Sequence, residues 1–276
     1  MIEPETKGKI KKYLEDWIDV LVEEIKSRSS NLKATDFRPP RNISKQANIK
    51  PFQEALLPEG ILRINEFERT LVTKLGSSYE ECAKLIAKQH FPTVERGYKL
   101  TGQVYVDAIK KIEKIVNDVS TKRRPTNFLE FVKTITSIKG EKTEERSRIA
   151  DLYVKGDNGN EVFFEMKSPK PNKGQCVEVL DRQLQIHAIK RDGPPKVRTF
   201  FAMQYNPYGI SRSNYKHSFS LNYLDMKNQV LLGKEFWDFL GGEGTNDEII
   251  GIYREVGKKK TRLSDIVIDS IYKFES

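Results

Sequence analysis

The stretch Arg148–Gln175 constrains this chain more than any other. It holds two short apolar runs, Ile149–Val154 and Val162–Met166, separated by the polar turn G-D-N-G-N. That pattern reads as a β-hairpin, since glycine and asparagine supply the backbone conformations a tight reversal needs. Asp151 lies in the first run, and Glu165 and Lys167 close the second. Residues two apart on a strand share a face, so Glu165 and Lys167 point the same way, roughly 7 Å apart by strand rise. Pairing of the two runs brings Asp151 beside them. Two carboxylates and an ammonium then converge on one spot.

That donor set suits Mg²⁺, which prefers oxygen ligands and is often held by one or two carboxylates together with substrate phosphates and water. Asp151 and Glu165 are the candidate metal ligands, and the backbone carbonyl of Met166 can add a third oxygen. Lys167 is positioned to orient or deprotonate a water, or to stabilise charge developing on a phosphate. A metal between a scissile phosphate and water supports phosphodiester hydrolysis. The bare spacing D-x(13)-E-x-K recurs by chance in charged proteins. Its hairpin setting and the cationic S-P-K-P-N-K-G-Q that follows give it weight.

The partner implied by charge is polyanionic. Of 276 residues 48 are Lys or Arg and 39 Asp or Glu, a formal net charge of +9. Such a surplus points to nucleic acid or, less often, an anionic membrane surface. Lys170, Lys173, Arg182, Lys190 and Arg191 are spaced to meet DNA phosphates. Asn172, Gln175 and Gln183 are bidentate groups of the kind that read base edges. A second reading surface is expected in 204–217, where Asn206, Tyr208 and Arg212 stand among Gln204, Asn214 and Lys216. Taken singly, each has the simpler reading of a solvated polar side chain.

Around this centre the chain reads as helices at 4–27, 65–76, 77–90 and 103–118, with irregular segments at 28–60 and after 118. A helical turn and then a strand are expected within 128–138. A helix follows at 175–190, a buried strand at 197–203, a short strand and helix within 229–240, and helices at 245–256 and 262–273. The result is one α/β nuclease domain over 1–276, a mixed sheet flanked by helices. Residues 1–125 form a mainly helical region for dimer or DNA support, and 126–276 the catalytic core with its C-terminal helices. Two cysteines without metal-ligand spacing, and no apolar leader or spanning run, predict a cytoplasmic protein with no membrane association. His90, His187 and His217 lack zinc spacing. No P-loop or dinucleotide fingerprint is present, so no nucleotide cofactor is expected.

The triplet Asp151…Glu165-Met166-Lys167 resembles the D…(D/E)-x-K signature of the PD-(D/E)XK nuclease superfamily, with Ala150 where proline is usual. Further blocks narrow the resemblance: F-E-R-T-L-V-T-K-L-G-S-S-Y-E-E-C-A at 67–83, K-P-N-K-G-Q at 170–175, Q-Y-N-P-Y-G at 204–209 and G-K-E-F-W-D-F-L-G-G at 233–242. They are similar to Type II restriction endonucleases, most of all the branch that cuts GGNCC. The resemblance implies a restriction-endonuclease-like fold, Mg²⁺-dependent cleavage of double-stranded DNA at a short (pseudo)palindromic site, and a homodimer. It also implies a further metal-site carboxylate from an early helix, for which Glu68 and Glu81 both stand open. Two alternatives remain in view: a structure-selective repair or recombination nuclease on the same fold, and a DNA-binding protein without catalysis.

Overall fold

The computed structural model describes residues 1–30, 51–57, 59–123 and 125–259. These fall into two compact units, Met1–Lys7 with Tyr79–Ile250, and Gly8–Ser78 with Gly251–Ser276.

The larger unit is built on one five-stranded mixed sheet in the order β1-β2-β3-β4-β5. Its strands are β1 (Thr93–Tyr105), β2 (Thr143–Lys155), β3 (Glu161–Lys167), β4 (Val197–Met203) and β5 (Val230–Leu232). The pairs β1–β2 and β2–β3 are antiparallel, and β3–β4 and β4–β5 are parallel. In β3, V-F-F-E-M is buried throughout, the pattern of a strand covered on both faces. On one face lie α4 (Val106–Ser120), α5 (Phe128–Ser137) and α6 (Lys173–Lys190). Their core joins Ile112 and Ile115, Phe128 and Phe131, and Val179, Leu180 and Leu184 to Phe201 and Met203 of β4. On the other face an aromatic cluster sets Phe164 and Phe200 against Phe236 and Phe239 of α8 (Lys234–Gly241). His187 sits fully buried on α6, with Nε2 3.2 Å from Thr199 Oγ1 and Nδ1 2.9 Å from the Asp192 carbonyl. Burial holds its imidazole down at about 4, so it is a neutral core residue.

The described residues of the smaller unit are mainly helical. Ile10, Leu14, Ile18 and Leu21 form the buried stripe of α1 (Pro4–Ser30), at the spacing of one helical face. Ion pairs join α1 to its neighbours: Lys11 to Glu255 of α9 (Thr245–Lys259) at 2.6 Å, and Glu24 to Lys74 of α3 (Glu59–Ala87) at 2.5 Å.

Several expectations need correction. Residues 59–87 form one helix through Gly76, not two; the Ser78 hydroxyl, bonded to the Leu75 carbonyl at 2.9 Å, is satisfied inside it. Pro51–Leu56 is a short helix, α2, within a segment expected to be irregular. Residues 128–137 are helical to the end, because Phe128, Phe131, Val132 and Ile135 bury one face and override the β-branched tail. Val104 belongs to β1, a strand that sequence reading left out, and the following helix begins at Val106. The segment 218–223 is a short helix, α7 (Ser218–Tyr223). The helix expected at 262–273 lies outside the described residues.

Candidate active site

The hairpin forms as the turn chemistry requires. Gly159 takes a φ of +78°, and the N–H of Gly156 donates to the Asn160 carbonyl at 2.9 Å. Strand pairing runs from Lys155↔Glu161 back to Leu152↔Phe164 and there stops. One residue further on, Asp151 and Glu165 face the opening. The Asp151 Oδ2 accepts the Met166 N–H at 2.6 Å, so a side chain takes the bond that a strand carbonyl would otherwise take. On its other side the register of β1 sets Gly97 across from Asp151, between the pairs Arg96↔Leu152 and Tyr98↔Ala150. Gly97 has a φ of +62°, a conformation that disfavours side chains, and a Cβ there would meet nothing within 4 Å. The β1–β2 pairing is therefore interrupted opposite Asp151, with free space at Gly97.

Glu165 is 6% exposed, and its Oε1 lies 2.9 Å from both Lys167 Nζ and Arg182 Nη1 of α6. Among the described residues no such cation is bonded to Asp151. Burial first, and the Glu165 charge second, push its carboxyl up to about 6, and the Met166 N–H and Lys167 only partly offset this. Burial works against the Lys167 charge, but the bond to Glu165 and the two carboxylates outweigh it and raise its pKa. Lys167 therefore rests as an ammonium. A third carboxylate charge is felt at Asp151, that of Glu80 on α3. Glu80 and Glu81 are forked by Arg96 of β1, Nη2 to Glu80 at 2.6 Å and Nη1 to Glu81 at 2.7 Å. Of the two helix carboxylates left open by the sequence, Glu81 is taken up by Arg96 and Lys84, and Glu68 is exposed on the part of α3 in the smaller unit. Sequence reading named its helix neighbour Glu81 and not Glu80, because which of two adjacent carboxylates lies toward Asp151 depends on the tertiary fold.

The donor chemistry fits a hard divalent cation. Two carboxylates close enough that Glu165 raises the pKa of Asp151, with no cation bonded to Asp151 among the described residues, repel each other, and a cation relieves that. Among the described residues no three Asp, Glu, His or Cys side chains are gathered into a full cage.

The residues expected to meet DNA separate into distinct roles. Asn172 and Gln175 form a reciprocal capping box at the start of α6, each side chain accepting the other's backbone N–H at 2.9 Å. Lys170 lies over the Tyr208 ring at 5.4 Å and Lys173 over Tyr223 at 5.6 Å, both cations remaining on the surface. Asn206 shapes its own loop, accepting from Tyr208 N at 3.0 Å and donating to the Ser211 carbonyl at 2.8 Å. Arg212 is clamped by Glu235 and the carbonyls of Met226 and Val230. Gln183 is buried, accepting from Gln229 at 2.6 Å inside the core. Arg191 stacks on Tyr105 at 4.3 Å, and Lys190 pairs with Glu161. Sequence reading missed Tyr215, whose buried hydroxyl donates to the Pro169 carbonyl at 2.6 Å and ties segment 205–223 to the loop after Lys167.

Two carboxylates and a lysine at the end of a central strand do not by themselves fix a family; comparison along the chain does. The profile described as "Type II restriction endonuclease, HinfI" matches residues 6–257. The chain belongs to this family. Three Type II restriction enzymes of Herpetosiphon aurantiacus are similar along nearly their whole length. HgiEI is 40% identical over 265 residues and HgiBI 38% over 263, each match covering 94% of this chain and 96% of the relative. MjaII of Methanocaldococcus jannaschii is 29% identical over 213 residues, 71% of this chain and 56% of that protein. As a member of the HinfI family the chain is a site-specific deoxyribonuclease, of a class that acts on double-stranded DNA and requires a divalent metal ion. Among the described residues no helix is long and apolar enough to cross a membrane.

Proposed function

We propose that this endonuclease uses Mg²⁺ to hydrolyse both strands of duplex DNA at GGNCC, acting as a homodimer, with Asp151, Glu165 and Lys167 as its catalytic residues. The observation that carries the reading is the meeting of Asp151, Glu165 and Lys167 where β2 and β3 part. Asp151 and Glu165, with the Met166 carbonyl, would hold the cation, and Glu80 lies close enough to add its charge. Bound Mg²⁺ would polarise the phosphate and lower the pKa of a water.

The chain's own groups do the rest. The Met166 N–H fixes the Asp151 carboxylate toward the site. Lys167, already an ammonium, orients the water and balances charge on the phosphate; its raised pKa argues against a role as resting base. Lys170, on the loop leading away from Lys167, and Lys173, the first residue of α6, supply phosphate contacts beside the cut. The GGNCC assignment rests on the sequence blocks at 67–83, 170–175, 204–209 and 233–242.

The test is digestion of a mapped, unmethylated DNA with and without Mg²⁺, followed by sequencing of the ends. Discrete fragments ending at GGNCC are expected. Asp151→Ala and Lys167→Ala should each remove cleavage while specific binding persists. Discrete ends at another sequence would reject the GGNCC assignment alone. Intact DNA, or cutting confined to branched or flapped substrates, would reject the wider reading.

A further inference from the structure

Arg182 stands on α6 one turn after Glu178, and its two terminal nitrogens hold two different carboxylates. Nη1 donates to Glu165 Oε1 at 2.9 Å, and Nη2 to Glu178 Oε1 at 2.5 Å. The first carboxylate is buried, with 6% of its side chain exposed; the second is open to solvent at 49%. Arginine binds most firmly when both nitrogens of its planar fork engage one carboxylate. Here the fork is split, and each bond is single. Glu165 Oε1 also receives Lys167 Nζ at 2.9 Å, so two cations crowd one oxygen. Among the described residues Asp151, across the parted strands, receives a backbone N–H and no cation. One carboxylate of the pair is overcompensated and the other bare.

A divalent cation placed between Asp151 and Glu165 meets the guanidinium as a like charge at short range, in a partly desolvated place where such repulsion is weakly screened. Arg182 has somewhere to go. Glu178, at i−4 on the same helix, already holds its other nitrogen at the surface.

We propose that Arg182 is a displaceable counter-ion of Glu165: it holds that carboxylate in place before the metal arrives and withdraws onto Glu178 when a divalent cation takes Glu165. Arg182 is thus a positioning residue whose contact competes with metal binding, and Glu178 is its alternative partner. The inference rests on the reading of Asp151 and Glu165 as the metal ligands.

The competition predicts opposite effects from two substitutions. Calorimetric titration of the DNA-free enzyme with Ca²⁺ reads the affinity without cleavage. Arg182→Gln should bind Ca²⁺ about tenfold more tightly than the parent. Glu178→Gln, a change at an exposed site, should bind it several-fold more weakly, because the arginine loses its outer partner and stays on Glu165. A purely structural salt bridge would give weaker or unchanged binding in Arg182→Gln and no change in Glu178→Gln, and either result overturns the proposal. If Arg182→Gln does not fold, Glu178→Gln decides alone. Asp151→Asn separates the two levels of the argument. Loss of Ca²⁺ binding in that variant upholds the site, whereas retained binding rejects the site itself and the proposal with it.

Discussion

At the scale of single residues, the carboxylate of Asp151 carries an energetic cost that its neighbours only partly remove. Burial and the adjacent Glu165 charge push its pKa up to about 6, so the folded protein holds that proton more tightly than the unfolded chain does. The stability this contributes is complete below the ordinary aspartate range and is lost as pH rises through about 6. At neutral pH the ionised, metal-free site is therefore a local liability. Asp151→Asn keeps an oxygen to accept the Met166 N–H and removes the charge. In EDTA at pH 7.5 it should stabilise the protein by about 2 kcal/mol, a few degrees in Tm. Near pH 4 the gain should vanish. Thermal melts of both proteins at the two pH values check this; an equal gain at both would point to packing instead of charge.

At the scale of elements, the end of β3 and the start of α6 are held by two devices with different purposes. The Asn172–Gln175 capping box fixes where α6 begins, and so where Arg182 faces. The Tyr215 hydroxyl, bonded to the Pro169 carbonyl and 2.8 Å from Ser220 Oγ, fixes the connection between them. Burial pushes that hydroxyl up to about 12, so it remains a donor at any working pH. Tyr215→Phe removes the buried contacts to both the Pro169 carbonyl and Ser220 Oγ and takes away the carbonyl's donor, a cost of about 1–3 kcal/mol. Because the bond joins segment 205–223 to the loop carrying Lys170, the loss should also appear in the reaction. Cleavage of cognate duplex should slow more than cognate binding weakens. A melt and a single-turnover assay distinguish this from a change in stability alone, which would leave the bound rate intact.

For the whole molecule, the charge of +9 and the proposed palindromic target make two linked expectations. A two-fold site is matched by two copies of the chain. Sedimentation of the enzyme with a cognate duplex and Ca²⁺ should report two chains per duplex. Its association constant should fall steeply as salt rises from 50 to 200 mM, as for any protein that releases counterions from several phosphates. One chain per duplex, with both strands still cut, would remove the homodimer from the proposal.

The sequence by itself determined the local chemistry: the hairpin, the shared face of Glu165 and Lys167, the helix that follows and the buried strand after it. These are set by period and turn residues, which act over a few positions. It could not reach what depends on distant partners. The β1 strand was hidden because Gly97 and Gly102 dilute its strand signal and its long pairing with β2 is made across intervening helices. The 128–137 segment became helix because burial of one face outweighed the preferences of its threonines and isoleucines. Arg212, Gln183 and Arg191 resemble free polar side chains in sequence, and only the fold shows each one engaged. Glu80 reached Asp151 only through the packing of α3 against the sheet's edge residue Arg96. A carboxylate's role is fixed by which charges lie within a few ångströms, and tertiary structure alone decides that.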